Sequence, residues 1–134
     1  MYLLDTNVVS ELRKNRPHGA VVSWLEGVAD SDLYLSVVTL GEIQAGIELT
    51  RERDADKAAE IEEWADLVAV NYNVLPMDAA TFRLWAKLMH RQSNSIYEDA
   101  MIAATALARN LTVVTRNVRD FEPFTVTLFN PFGA

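Results

Sequence analysis

The chain has 134 residues and no cysteine, which excludes disulfides and thiolate metal sites. Its 19 acidic residues outnumber its 12 lysines and arginines, and the net charge of -7 excludes a broad basic surface for nucleic acid. No apolar run is long enough to span a bilayer and no secretion signal opens the chain, so we expect one cytoplasmic domain over residues 1–134 that does not contact a membrane.

The first predicted strand is Met1–Leu4, a short apolar run without polar alternation, as is typical of a strand buried in a parallel sheet. It ends directly in Asp5, Thr6 and Asn7, and ligands of open α/β sheets bind beyond the carboxyl ends of the strands. Any of these three residues can also cap the helix predicted at Val8–Lys14. Since Thr6 or Asn7 can cap that helix alone, Asp5 stands out as a candidate functional residue.

The middle of the chain alternates between helices and strands. A helix at Gly19–Val28 precedes a strand at Leu33–Val38, which is rich in apolar and β-branched residues. Thr39 and Glu42 have the spacing of a capping box, which predicts that the next helix starts there. An amphipathic helix follows at 54–70.

The last part of the chain contains the same two kinds of element. Ser95 and Glu98 again have the spacing of a capping box, which predicts a helix start before the apolar run that follows. The other predicted elements are the strand Val74–Leu75, the helix Ala79–Arg91 capped by Asp78, and the strands Leu111–Thr115 and Val126–Phe129. This alternation favours an α/β fold with a central parallel sheet of about five strands wrapped by helices.

Three acidic residues are predicted at the carboxyl edge of this sheet. Asp5 follows the first strand, Glu42 opens the helix after the second, and Asp120 lies in the loop after the fourth. Asp99, in the first turn of the helix that leads into the fourth strand, joins them if its helix begins near the same edge. Taken singly, Glu42 also fits a helix cap, Asp99 the positive end of its helix, and Asp120 a turn.

Carboxylates that crowd together repel one another and stay ionised only beside a cation. Mg²⁺ or Mn²⁺ suits such an all-oxygen site, to which Thr6, Thr115 and Asn117 can add uncharged oxygen atoms. Zinc is not expected, because cysteine is absent and the two histidines, His18 and His90, fall in or beside predicted surface loops.

Together these residues closely resemble the PIN-domain ribonucleases, and more narrowly the VapC and FitB group of toxin–antitoxin toxins. The resemblance rests on Leu-Asp5-Thr-Asn7, on Glu42 at a helix start, on Asp99-Ala-Met-Ile-Ala-Ala-Thr-Ala, on Val-Val-Thr115-Arg-Asn117-Val-Arg-Asp120-Phe, and on the closing Asn130-Pro131-Phe132. These motifs occur in the family's order, and the similarity covers the chain from end to end.

The resemblance implies a PIN-like three-layer fold and an endoribonuclease that depends on Mg²⁺ or Mn²⁺. Carried over position by position, the site comprises Asp5 and Asp99 as main metal ligands, Glu42 and Asp120 as the other acids, and Thr115 and Asn117 as supporting polar residues. Proteins of this group are usually homodimers, are silenced by a small antitoxin within a larger hetero-oligomer, and reach DNA only through that antitoxin.

Binding of RNA phosphates by this acidic chain requires local cations. The candidates are Arg13, Lys14 and Arg16 beyond the first strand, and Arg116 and Arg119 beyond the fourth. These five residues can equally be a solubilising surface. The helices predicted at 39–49 and 54–70 can present an apolar groove to a helix of a partner protein.

Two other functions fit part of the pattern. A phosphohydrolase with Asp5 as a covalent nucleophile shares the aspartate at the end of the first strand, but such enzymes place a second aspartate where this chain has Asn7. A non-catalytic dimeric module can use the same acids as a pocket for an arginine of a partner protein. It is distinguished from the nuclease by whether the acids bind a metal.

Overall fold

The computed structural model describes residues 1–133, and its centre is a parallel sheet in the order β3-β2-β1-β4-β5. The strands are β1 (Tyr2–Leu4), β2 (Leu33–Ser36), β3 (Asn73–Leu75), β4 (Thr112–Val114) and β5 (Leu128–Phe129). All four neighbouring pairs are parallel, so every strand ends at the same edge of the sheet. The predicted α/β fold, with a parallel sheet of about five strands, is confirmed.

The central strand β1 divides the core into two layers. Leu3 and Leu4 are both fully buried, but Leu4 packs with the core cluster on one face and Leu3 with the cluster on the other. Successive side chains of a strand point to opposite faces, so an apolar strand without alternation must be covered on both. Asp5 follows this strand, which places its carboxylate at the edge between the two layers.

Seven α-helices within residues 1–133 cover the sheet. They are α1 (Thr6–Glu11), α2 (Gly19–Glu26), α3 (Val37–Arg51), α4 (Ala55–Asn71), α5 (Ala79–Met89), α6 (Tyr97–Arg109) and α7 (Val118–Phe121). The cap predicted for α5 is confirmed, since Asp78 accepts a hydrogen bond from the backbone N–H of Thr81 at 2.9 Å. None of these helices has the length and apolarity needed to cross a membrane.

The predicted capping box at Thr39 is wrong. Helix α3 starts two residues earlier, at Val37, and Ser36 caps it by accepting a hydrogen bond from the N–H of Val38 at 3.1 Å. A serine at the end of a strand is itself a strong N-cap, and it outweighs the β-propensity of the two valines that follow. Thr39 is consequently buried inside the first turns of α3, and Glu42 lies about one turn after it.

The start of α6 also differs from the prediction. Ser95 lies in a short 3₁₀ turn, Asn94–Ile96, and α6 begins at Tyr97 without a side-chain cap. The indole N–H of Trp85 donates to the carbonyl of Tyr97 at 3.0 Å and so ties α5 to this helix start. Because Glu98 is not used in a cap, its carboxylate is available to the site described below.

Asp120 lies in the short helix α7, Val118–Phe121, and not in a loop as predicted. The N–H of Asp120 donates to the carbonyl of Asn117 at 3.1 Å, and the buried Phe121 anchors the turn in the core. The helix follows β4 directly, so Asp120 stays at the predicted edge of the sheet.

Candidate active site

Asp5 is held by three donors at the end of β1. The N–H of Thr6 donates to Oδ1 at 2.8 Å, while the hydroxyl of Thr115 and the amide of Asn7 donate to Oδ2 at 2.8 and 3.3 Å. Asp5 is therefore the N-cap of α1. Its Oδ2 is held by Thr115, which directly follows the neighbouring strand β4. The side chain is only 7% exposed, so its orientation is set by these contacts.

Thr115 connects the two central strands at their carboxyl ends. It is fully buried, and besides its bond to Asp5 its hydroxyl accepts the N–H of Asn117 at 3.0 Å. The carbonyl of the Asn7 side chain accepts the N–H of Arg116 at 3.3 Å. The predicted supporting residues Thr115 and Asn117 thus lie beside Asp5, with Asn117 contributing through its backbone.

Thr6 links the first strand's end to α3. Its hydroxyl donates to Oε1 of Glu42 at 3.0 Å and lies 3.1 Å from the hydroxyl of Thr39. Glu42 is half-buried and faces back toward the end of β1. The sequence prediction that Asp5 and Glu42 share one edge of the sheet is borne out by this bridge through Thr6.

The acids at this edge lie near enough to raise one another's pKa values. Burial raises the pKa of Asp5, and the charge of Asp120 raises it further, against the hydrogen bonds from Thr115 and Thr6. Burial also raises the pKa of Asp99 to about 6, with further increases from the charges of Asp5 and Asp120. Within residues 1–133, no lysine or arginine forms a salt bridge with any of these acids.

Glu98 is the acid that the sequence interpretation missed. Burial and the adjacent carboxyl group of Glu98 raise the pKa of Glu42 to about 7, and the charge of Glu98 also acts on Asp99. The capping-box spacing concealed this role, although the position of Glu98 next to Asp99 in the first turn of α6 was a usable signal. Asn7, which bonds both Asp5 and Arg116, was quoted in the Asp-Thr-Asn motif but was not predicted as a site residue.

The donor set suits a hard cation in its chemistry. It consists of carboxylate, hydroxyl and amide oxygens without a thiol or an imidazole. As they stand, no three histidine, aspartate or glutamate side chains in residues 1–133 are grouped so that they could hold an ion. Unneutralised carboxylates repel one another, and Asp99 and Asp120 have no hydrogen-bonding side-chain partner in this part of the chain that would hold them in a fixed direction.

The five predicted phosphate-binding cations differ in their surroundings. All five are exposed, but Lys14 is paired with Glu11 at 3.0 Å and Arg116 stacks on the ring of Phe132 at 4.6 Å. Arg13, Arg16 and Arg119 form no salt bridge within the described chain. Arg13 lines a cavity that also reaches Thr6 and Glu42.

Comparison with known proteins agrees with this geometry. The profile of the family described as PIN domain matches residues 2–123. Toxin FitB of Neisseria gonorrhoeae is 34% identical, with 98% of this chain and 99% of that protein covered. VapC ribonuclease Y4jK of Sinorhizobium fredii is 36% identical, with 98% of each covered. A solved structure described as FitAB bound to IR36 DNA fragment superposes with a TM-score of 0.86 at 31% identity, covering 100% of this chain and 97% of that one.

Proposed function

Because the chain belongs to the PIN-domain family and, within it, to the group of VapC and FitB toxins, we propose that it is a Mg²⁺- or Mn²⁺-dependent endoribonuclease and the toxin of a toxin–antitoxin pair. The nuclease class is supported by relatives that are named ribonucleases. The dependence on a divalent cation and the roles of individual residues are the new parts of the proposal.

The observation that supports metal dependence is the electrostatic state of the acids. Asp5, Glu42 and Asp99 all have raised pKa values, caused first by burial and then by neighbouring carboxylates. A protein side chain that neutralised them would lower these values, and none does so within residues 1–133. An exogenous cation at this edge removes the repulsion and returns the acids to their ionised form.

Asp5 and Asp99 would hold the ion, with Asp120 completing the acidic edge. When bound, the ion supplies Lewis acidity and positive charge for the attacked phosphodiester. Thr115, Asn7 and the N–H of Thr6 orient the carboxylate of Asp5 through the three bonds described above. Such supporting bonds fix the direction of a ligand before it binds.

Glu42 is suited to move a proton. Burial and neighbouring carboxyl groups raise its pKa to about 7 in the metal-free protein, and the bound cation would return it to the ionised form that can accept a proton from an attacking water. The hydroxyl of Thr6 donates to Oε1 at 3.0 Å and so orients the carboxyl group. Glu98 lies close to Glu42, and its carboxyl group raises the pKa of Glu42.

The partners follow from the family. We propose that the protein is a homodimer that a small cognate antitoxin silences in a larger hetero-oligomer, and that contact with DNA takes place through the antitoxin. An acidic pocket without a protein cation is also complementary to an arginine, so an inhibitory segment with a positive charge fits the same acids.

Chelation of metal is the direct test of this function. Purified protein is incubated with structured and single-stranded RNAs in Mg²⁺, in Mn²⁺ and in excess EDTA. We expect internal cleavage with either ion, at least about a hundredfold slower in EDTA, since an ion of this kind supplies several kcal/mol to phosphoryl transfer.

The same samples separate the alternatives. Cleavage that is equally fast in EDTA contradicts metal dependence, and the acids then act without an ion. If nothing is cut and calorimetry detects no binding of Mg²⁺ or Mn²⁺, the enzyme proposal fails in favour of the arginine-binding module. The titration is done on dialysed, metal-free protein so that a resident ion does not mask binding.

The substitution Thr115→Val tests the support of Asp5. Valine has nearly the shape of threonine but cannot donate to Oδ2 of Asp5 or accept from the N–H of Asn117. We expect Mg²⁺ affinity, measured by calorimetry, to fall about tenfold to a hundredfold, as for other residues that orient a metal ligand. Thr105→Val is the matched control, because Thr105 is also buried but donates within its own helix, to the carbonyl of Met101 at 2.9 Å. Equal affinities in the two variants would contradict the assigned role.

A further inference from the structure

A groove leads from the acids across α3 and α4 to the surface. Its inner part is a cavity of about 240 Å³ lined by Thr6, Arg13, Glu42 and Trp64, among others. Its outer part, about 460 Å³, is lined by Arg13, Trp64 and Lys57, among others. Arg13, Ile61 and Trp64 line both parts, so the two cavities adjoin each other, and we call them together the Trp64 groove.

The inner end of the Trp64 groove lies at the proposed active site. Thr6 and Glu42 line its inner end, and these are the two residues joined by the 3.0 Å hydrogen bond at the edge of the sheet. An RNA strand cleaved beside Glu42 must continue past the site on both sides of the cleaved bond. The Trp64 groove offers space for one of these two sides.

The charge of the outer part is opposite to that of the chain as a whole. Three of its seven lining residues are cationic and one, Glu60, is acidic, whereas the chain has 12 lysines and arginines against 19 acids. Lys14 is paired with the buried Glu11. Arg13 and Lys57 form no salt bridge within residues 1–133, so their charges are available to an anion.

The floor of the groove is aromatic and apolar. Trp64 is half-buried, packing on the core through one side while it lines both cavities with the other, and Ile61 lies one turn before it. A cation beside an accessible aromatic ring is the combination that holds single-stranded nucleic acid, with the phosphate on the cation and the base against the ring.

The cationic stretch is short. Beyond Lys57 the surface is lined by Asp54, Asp56, Glu60 and Glu63, which repel phosphate. The groove therefore offers room and complementary charge for one or two nucleotides next to the acids, and not for a long strand.

We infer that the Trp64 groove is a nucleotide subsite for single-stranded RNA next to the scissile phosphate, with a base against Trp64 and the adjoining phosphate on Arg13. The inference rests on the proposed ribonuclease function and assigns a segment of its substrate. A protein segment in the same groove is the competing occupant, which the experiment below distinguishes.

Gly46 provides a way to close the groove without changing Trp64. It lies on α3 and lines the inner cavity, and a Cβ added there meets no atom within 4 Å. Gly46→Phe places a large side chain in this space, whereas Gly46→Ala adds only a methyl group. The pair controls for loss of the glycine itself.

Binding of RNA by the full chain tests the subsite. All samples carry Asp99→Asn, so that RNA is bound without being cut, and the probe is a fluorescent pool of random-sequence single-stranded RNA 20-mers followed by anisotropy. We expect Arg13→Ala and Gly46→Phe to weaken binding about tenfold, and Arg13→Ala to reduce the salt slope by about 0.7, the value for one lost phosphate contact on a single strand. Gly46→Ala should weaken binding less than Gly46→Phe does, and Arg83→Ala, which removes an exposed cation from α5, should bind like the parent.

Photocrosslinking locates the base independently of affinity. The same pool, made with 5-iodouridine, should form its main crosslink on the peptide that contains Trp64. Crosslinks confined to other peptides, or equal binding by Arg13→Ala, Gly46→Phe and the parent, would overturn the subsite and leave the groove to a protein segment. If the parent binds no RNA and the metal-dependent cleavage assay is also negative, the ribonuclease function itself fails. If the protein cleaves RNA but these variants and crosslinks give no sign of RNA in the groove, only the subsite fails.

Discussion

Asp5→Asn is expected to reduce metal-dependent RNA cleavage by at least about a hundredfold while leaving the fold intact. The amide preserves the shape of the side chain and an oxygen to accept the N–H of Thr6, so the cap of α1 survives. It removes the negative charge at the end of β1 and replaces the acceptor Oδ2 by an NH2 group, from which the hydroxyl of Thr115 can accept instead of donating. Without that charge the site cannot hold a divalent cation tightly, and the loss should be seen in Mg²⁺ binding and in the rate alike.

The measurement compares initial rates on one RNA over a range of Mg²⁺ concentrations. Asp66→Asn, which removes an exposed carboxylate from α4, is the control for net charge. Circular dichroism of both variants checks that the folds are equal. A rate for Asp5→Asn within a few-fold of the wild-type rate at every Mg²⁺ concentration would remove Asp5 from the proposed site.

The features that were predictable from sequence are those fixed by local chemistry. Asp78 caps α5 as predicted, because its oxygen and the N–H of Thr81 are neighbours in the chain. The apolar run before Asp5 identified the central strand, since only a strand covered on both faces lacks polar alternation. From these elements and the handedness of parallel connections, the shared edge of Asp5 and Glu42 followed.

The features that were missed depend on competition or on packing between distant segments. Ser36 and Thr39 both offered a helix cap, and spacing alone did not show that the earlier residue wins. The nearness of Glu98 to Glu42 arises only when α3 and α6 meet at the sheet edge. An apolar groove between the helices at 39–49 and 54–70 was expected for a partner's helix. Two of the three cations in its outer part, Arg13 and Lys14, come from the segment after α1, which no periodicity placed there.

The contribution of Asp99 and Glu42 to the stability of the metal-free protein should fall as the pH rises from about 4 to about 7. Asp99 and Glu42 have folded-state pKa values of about 6 and about 7, above those of the unfolded chain. In this window these two groups bind more protons in the folded state than in the unfolded state, so their contribution to the free energy of unfolding decreases with pH. The contribution of these two protons to stability is complete below the unfolded pKa and is lost once the folded pKa has been passed.

Asp99→Asn should therefore stabilise the metal-free protein at pH 7.5 while it abolishes most cleavage. The amide cannot ionise among Asp5, Asp120 and Glu98, and because Asp99 is half-exposed we expect a gain on the order of 1 kcal/mol. Urea unfolding in EDTA at pH 7.5 and pH 4 measures it: the variant should exceed the wild type at pH 7.5 and match it at pH 4, with Asp66→Asn, which removes an exposed carboxylate from α4, as the control. Adding Mg²⁺ should reverse the order, since ligand binding stabilises only the chain that holds the ion. A variant that is less stable than the wild type at pH 7.5 in EDTA would show that Asp99 stabilises the fold. It would contradict the proposal that Asp99 destabilises the metal-free protein and serves to bind a cation.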